Sequence, residues 1–533
     1  MQATLFFGGP ILTLAGPPVQ ALLVAQGRVQ AVGGLEELRA GAPEPVQMVD
    51  LQGNTLMPAF IDAHSHITAL ASTLSSVDLT DAQSLEEVAR RVRAFVKERA
   101  LPPGRWVTGF GYDQNRMQEH RHPDRALLDA ACPEHPLVVT HASGHMGVMN
   151  SLALRIAQID GDTPDPAGGK IGRDADGTPN GYLEESAFTS RTAMVPPPGE
   201  AEQLELLDRA QQVYLRHGVT TVQDGLTKDP QWANLRQLAQ QDRLLVDTVC
   251  YADLKDHREL YLAHRTGETY RQRLRMGGYK IFLDGSPQGR TAWMSQPYEK
   301  GEKGYCGYPI YTDEQVLSMV KTALSDEVQL LAHCNGDAAA EQMITCYERA
   351  LAEMPKGPSL RPVMIHAQLV RPDQLARMGR MGMMASFFVA HTYYWGDVHL
   401  ENFGQERALD ISPVRAAVEN QVRYTFHQDT PVLPPDMLDT LWCATNRVTR
   451  KGVVLDAAQR ATPAEALAGV TTNAAYQYGE LDHKGTLQPG KLADLVILSG
   501  DPLTTDPAQL KRLRVLATLK EGVCRYRAQD APM

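Results

Sequence analysis

Residues 59–66 read Ala59-Phe60-Ile61-Asp62-Ala63-His64-Ser65-His66, a short apolar run closed by two histidines one position apart. Side chains of an extended strand repeat with a period of two, so both imidazoles leave the backbone on the same side. Two nitrogen donors on one face suit a divalent transition metal. An isolated His-x-His is equally at home on a surface, so its weight rests on what surrounds it.

Seven further apolar runs follow at 220–223, 246–250, 279–282, 330–333, 363–366, 383–387 and 424–427, separated by helical patterns. Strands alternating with helices mark βα units on a parallel sheet, and eight such strands close a (β/α)8 barrel, an α/β fold. His333 and His366 end the fifth and sixth runs, Asp429 follows the eighth, and Lys280 lies in the fourth. Side chains at the C-terminal ends of barrel strands converge on one mouth. These distant residues thereby join His64 and His66 in one candidate metal site.

A ninth run, 137–140, breaks the count of eight unless it lies outside the barrel. It falls within a long stretch, about 77–200, that has its own helical segment at 84–99 and proline- and glycine-rich text at 161–181. We read this stretch as an insertion after strand one, placed to wall or cover the catalytic face. Short β-rich runs between 3 and 58, and again at 492–498 and 515–526, are too few at either end to make a stable sheet alone. Paired, residues 1–57 and 480–533 form a small composite β-sandwich, which leaves 58–479 to the barrel.

Lys280 sits inside the run Tyr279-Lys280-Ile281-Phe282-Leu283, where an ammonium is costly to desolvate. An ion pair with Asp284 or another buried acid would account for it, as would a snorkelling side chain. A sharper reading is that burial lowers the pKa until the amine captures carbon dioxide as a carbamate, whose two oxygens bridge two cations.

Composition narrows the function classes. Of 533 residues 43% are hydrophobic and 22% charged, and no stretch approaches the apolar length needed to cross a bilayer. The first fourteen residues lack the features of a secretory signal, and seven scattered cysteines do not suggest a disulfide framework, so a cytoplasmic location is expected. A formal charge of −11 without a basic cluster is a poor footprint for nucleic acid. The expected partner is a small-molecule substrate, and a homodimer is the default assembly of a soluble enzyme.

Several motifs carry a family resemblance. They are residues 60–66, Gly109-Phe110-Gly111-Tyr112-Asp113, Gly144-His145 with Asn150, Gly218-Val219-Thr220-Thr221, Lys280 with Asp284-Gly285-Ser286, His333 with Gly336-Asp337, and the stretch 485–494 from Gly485-Thr486 to Ala493-Asp494. Over nearly its whole length the chain resembles the amidohydrolase superfamily, in particular the branch of YtcJ-like proteins and N-substituted formamide deformylases. The resemblance implies His64 and His66 on one metal, Lys280 as a bridging carbamate, His333 and His366 on a second metal, and Asp429 at strand eight. It also implies the sandwich built from both chain ends. Where the family often places a serine before the strand-eight aspartate, this chain has Gln428, and Cys334 directly follows a ligand histidine.

The expected chemistry follows from that constellation. Water held by one or two cations loses a proton near neutral pH and attacks a carbonyl carbon as hydroxide. Asp429 is placed to accept the proton and return it to the leaving amine. The expected reaction is therefore hydrolysis of a non-peptide C–N bond in an amide, an N-substituted formamide or a related compound, with Zn2+ the ion best suited to these ligands. A hydrolytic deaminase or cyclic-amide hydrolase on the same barrel is an alternative, and a catalytically silent binding or regulatory relative is another. For substrate contacts the candidates are His391 and Trp395 after strand seven and His145 in the insertion, with Tyr112, Asp113 and Glu184 behind them. Asp337 is expected to orient His333.

Overall fold

Short apolar runs buried on both faces can satisfy their backbone only in a sheet covered on both sides, and here they form one. The computed structural model describes residues 3–114, 117–141, 146–166, 169–192, 194–196, 198–354 and 360–532. Eight strands, β1 (Phe60–Ile61), β2 (Val219–Thr227), β3 (Asp247–Asp253), β4 (Leu274–Phe282), β5 (Gln329–Cys334), β6 (Val363–His366), β7 (Met384–Phe387) and β8 (Tyr424–Phe426), lie side by side in sequence order. Every neighbouring pair is parallel. The His66 N–H donates to the Thr430 carbonyl at 2.8 Å, which ties together the segments leaving β1 and β8. Ile61, Tyr251, Leu331, Val363, Ile365 and Met384 are buried in one cluster with Ala474 and Ala475 of helix Thr472–Gln477 and with Tyr478, which caps its C-terminus. The crossover helices are conventionally punctuated: Thr312 caps Asp313–Ser325 through a reciprocal capping box, and Pro372–Met381 stops at Gly382 with φ +65°.

Both chain ends meet in a second sheet. Thr55–Pro58 pairs antiparallel with Leu495–Leu498 and so joins the N-terminal strands Ala3–Ile11, Val19–Ala25, Arg28–Gly33 and Val46–Asp50 to Val515–Lys520 and Val523–Arg527. All eight belong to one hydrogen-bonded sheet, whose buried Phe6, Leu56, Leu495, Ile497 and Leu519 share a core. Its seam with the barrel is ionic: Lys520 Nζ contacts Asp247 and Asp494 at 2.7 Å each, and Lys484 Nζ contacts Asp247 and Glu480 at 2.5 Å each.

The chain divides into two compact units, residues 1–68 with 210–533, and residues 69–209. The second unit has its own six-stranded sheet, in which Leu137–His141 lies between Val107–Tyr112 and Met146–Met149. The ninth apolar run is thus a strand of this sheet. Helix Leu85–Arg99 begins where Ser84 accepts a hydrogen bond from the Glu87 N–H, and it buries Leu85, Val88, Ala89 and Val92. Among the described residues no helix is long and apolar enough to cross a membrane.

Candidate metal centre

The ends of β1, β4, β5, β6 and β8 bring six ligand-type side chains together. His64 Nε2 lies 3.3 Å from Lys280 Nζ and 3.4 Å from Asp429 Oδ1, and His66 Nε2 lies 3.2 Å from the same oxygen. On the other side His366 Nε2 is 3.1 Å from His333 Nδ1 and 3.9 Å from Asp429 Oδ2. Asp429 therefore turns one oxygen to the His64–His66 pair and the other toward His366. Ligand atoms held at about 2.0–2.1 Å around a tetrahedral ion are roughly 3.3 Å apart, which is the spacing seen here. Asp429 Oδ1 is buried and, among the described residues, accepts no well-formed hydrogen bond, an orphaned acceptor that a cation would satisfy.

Outer contacts decide which ring nitrogens are bare. Gln223 donates from Nε2 to the Ala63 carbonyl at 2.9 Å, so its Oε1, 2.6 Å from His64 Nδ1, must accept from an Nδ1–H. This leaves the His64 Nε2 lone pair facing Lys280 and Asp429. His333 Nε2 lies 3.2 Å from the Gly285 carbonyl and 3.0 Å from Asn335 Nδ2; the tautomer that donates to the carbonyl has Nδ1 bare toward His366. Burial, together with the field of Lys280, holds both rings neutral, with His64 well below its usual pKa and His333 pushed down to about 4. Close packing enforces the pair's position, since a Cβ at Gly225 would sit 2.7 Å from His64 Cε1 and 3.0 Å from His66 Cε1.

Two of the six side chains depend on unusual backbone. Along β6, Val363 and Ile365 face the inner cluster, so simple alternation would turn His366 outward, in register with Cys334 and Phe387. Instead His366 has φ +71° and Ala367 φ +44°, and the imidazole meets His333. Asp429 likewise adopts φ +52°. Left-handed backbone at non-glycine residues costs roughly 1–3 kcal/mol each and concentrates at functional sites.

Lys280 is fully buried and, among the described residues, forms no ion pair. Burial pushes its ammonium down to about 7, against the opposing fields of Asp429 and Cys334. Asp284, the alternative partner, is otherwise engaged: it accepts the backbone N–H groups of Asn335 at 2.9 Å, Gly336 at 2.7 Å and Trp293 at 3.0 Å. The Cys334 thiol is buried and raised well above its usual range by that burial.

The remaining candidates scatter. His391 is buried after β7 against Trp395, with ring centroids 4.5 Å apart, and its Nδ1 is 3.1 Å from His399 Nε2. Phe388 lies between it and the ligands, 4.7 Å from the His391 ring and 6.2 Å from that of His366. Tyr112 belongs to the second unit, fully buried in its core with the hydroxyl 3.0 Å from His122 Nδ1, a core tyrosine with a satisfied polar end. In the same unit Asp113 lies 3.7 Å from His141, and Glu184 accepts from the Tyr182 hydroxyl at 2.8 Å. His145 lies outside the described residues. The expectation for Asp337 needs correction. Its carboxylate accepts from Ser295 at 2.8 Å and from Arg371 at 2.9 Å, because it opens helix Asp337–Glu353, and the acid 3.7 Å from His333 Nε2 is Asp284.

Gln223 and His427, outside every site motif of the sequence, also reach the centre, against His64 and His366. Both are polar and fully buried at a barrel strand, the same signal that singled out Lys280.

The amidohydrolase family model matches residues 47–526 of this chain. The N-substituted formamide deformylase of Arthrobacter pascens is 30% identical over 524 residues, covering 95% of either chain. YtcJ of Bacillus subtilis (strain 168) is 26% identical over 548 residues, covering 98% of this chain and 99% of its own. Among solved structures, an uncharacterized metal-dependent hydrolase from Pyrococcus furiosus superposes with a TM-score of 0.75 at 25% identity, over 94% of this chain and 100% of that one.

Proposed function

Because the chain belongs to the amidohydrolase family, we propose that it is a metal-dependent hydrolase of a C–N bond other than a peptide bond. Its substrates on this reading are amides, N-substituted formamides or related small carbonyl compounds. The observation that carries the reading is the ring of ligand atoms: the His64 lone pair turned inward, His333 Nδ1 facing His366, Asp429 with an orphaned oxygen, and a buried lysine with no ion pair among the described residues.

His64, His66 and Asp429 Oδ1 would hold one divalent ion, and His333 and His366 a second, with zinc favoured by imidazole and carboxylate donors. Lys280 would join both as a carbamate: the neutral amine adds to CO2 with loss of one proton, which replaces an uncompensated buried cation by an anionic ligand. Bound ions supply Lewis acidity toward water and the substrate carbonyl. The chain supplies the rest. Asp429 takes the proton released by attacking water and passes it to the leaving nitrogen. His391 Nε2, unused by any partner among the described residues, is available to the carbonyl oxygen, with Trp395 and Phe388 as an apolar wall. Lys280 weighs against a single-ion deaminase, and a silent relative would have no physical need to keep so costly a group.

Asp429→Asn tests the assignment. Compared at equal zinc content, turnover of an N-substituted formamide should fall by roughly 10²–10⁴-fold, the worth of general acid–base catalysis. Unimpaired turnover at equal zinc content overturns the role.

A further inference from the structure

His366 of the ligand set is joined to two residues outside it in a hydrogen-bonded chain across consecutive strands. His427 Nε2 at the end of β8 lies 3.2 Å from His366 Nδ1 on β6, and His427 Nδ1 lies 2.9 Å from Ser386 Oγ on β7. His427 and Ser386 are wholly buried, and His366 keeps only 3% of its surface.

A neutral imidazole carries one proton, and the nitrogen that meets a cation must be the other one. For His366 the nitrogen facing His333 and Asp429 is Nε2, so a cation there requires the proton on Nδ1. We propose that His427, backed by Ser386, is a positioning residue that holds His366 as its Nδ1–H tautomer and so commits Nε2 to a divalent ion shared with His333. In that state His366 Nδ1–H donates to His427 Nε2, and His427 Nδ1–H donates to Ser386 Oγ. Without a cation the same atoms serve the reverse order. The Ser386 hydroxyl donates to His427 Nδ1, His427 Nε2–H to His366 Nδ1, and His366 Nε2–H to His333 Nδ1 at 3.1 Å. The chain thus keeps each nitrogen of its two imidazoles paired in either state, and an imidazole backed by a hydroxyl can reverse direction where a fixed donor cannot. It also steadies an imidazole that left-handed backbone has turned out of the strand's alternation.

This inference rests on the metal reading above, and the test separates the two. Zinc stoichiometry and affinity, measured by competition with a chromophoric chelator, are compared for the wild type, His427→Leu, His427→Gln and Ser386→Ala, with thermal melting as the check of folding. His427→Leu should weaken zinc binding by about 10–100-fold, as loss of a ligand's outer partner does. His427→Gln keeps an acceptor near the Nε2 position and should restore most of it, and Ser386→Ala should lose less, roughly three- to tenfold. A wild type that binds no zinc overturns the metal reading itself. A wild type that binds, with His427→Leu binding equally well, overturns the inference alone. So does a His427→Gln as weak as His427→Leu, because the imidazole would then be a ligand. If His427→Leu does not fold, an unchanged affinity in Ser386→Ala overturns it.

Discussion

Lysines are buried at both ends of this barrel, and they are treated in opposite ways. At the base, where the terminal sheet meets β3 and β4, Lys484 and Lys520 are surrounded by Asp247, Asp494 and Glu480. Burial alone would discharge Lys484, yet the fields of Asp247 and Glu480 hold its ammonium well above the usual value. At the mouth Lys280 is equally inaccessible but has a neutral imidazole beside it and, among the described residues, no carboxylate in ion-pair contact, and its pKa falls to about 7. A buried charge persists only when paired; an unpaired one gives up its proton or reacts. The base uses its lysines to join two sheets, and the mouth leaves one without an ion pair among the described residues.

Removing the charge should therefore have opposite consequences at the two ends. Lys280→Met should lower kcat/KM on an N-substituted formamide by ~10⁴-fold, about 5 kcal/mol, without lowering the melting temperature, since an apolar side chain there relieves a desolvation cost. A destabilised but active Lys280→Met would erase the distinction. Lys520→Met should cost about 3–5 kcal/mol by stranding buried carboxylates, seen as a lower thermal midpoint, while zinc content per folded chain stays constant. Gln223→Leu, which frees His64 to turn or change tautomer, should weaken zinc binding by about 10–100-fold with little change in melting. The same variant with unaltered zinc affinity would show that Gln223 only fills space.

Most of the barrel was legible because each strand is a short apolar run, and five of the eight carry a candidate ligand in or just after the run. The strand at Leu137–His141 reads identically to a barrel strand, and only the count of eight separates it from them. Within the candidate site, residue type and position point to His64, Lys280, His333 and Asp429, which the structure brings to neighbouring strand ends. His366 was placed there for an incomplete reason, because alternation along β6 faces it outward and the left-handed backbone returns it. That turn is a tertiary constraint with no local signature. Asp337 drew attention by its nearness in sequence to His333, but a helix first turn carries it toward Ser295 and Arg371, whereas Asp284 arrives from the loop after β4. His399 follows His391 by eight residues, and nothing in that spacing shows that two helical segments bring their rings into parallel contact.

The claim on which the rest depends is that Lys280 is kept unpaired in order to become a metal ligand. Zinc stoichiometry of wild type and Lys280→Met, each loaded in bicarbonate-containing and in CO2-free buffer, tests it directly. The account predicts that wild type binds more zinc when CO2 is present and that Lys280→Met binds less than wild type and ignores CO2. Equal zinc in all four samples would contradict it.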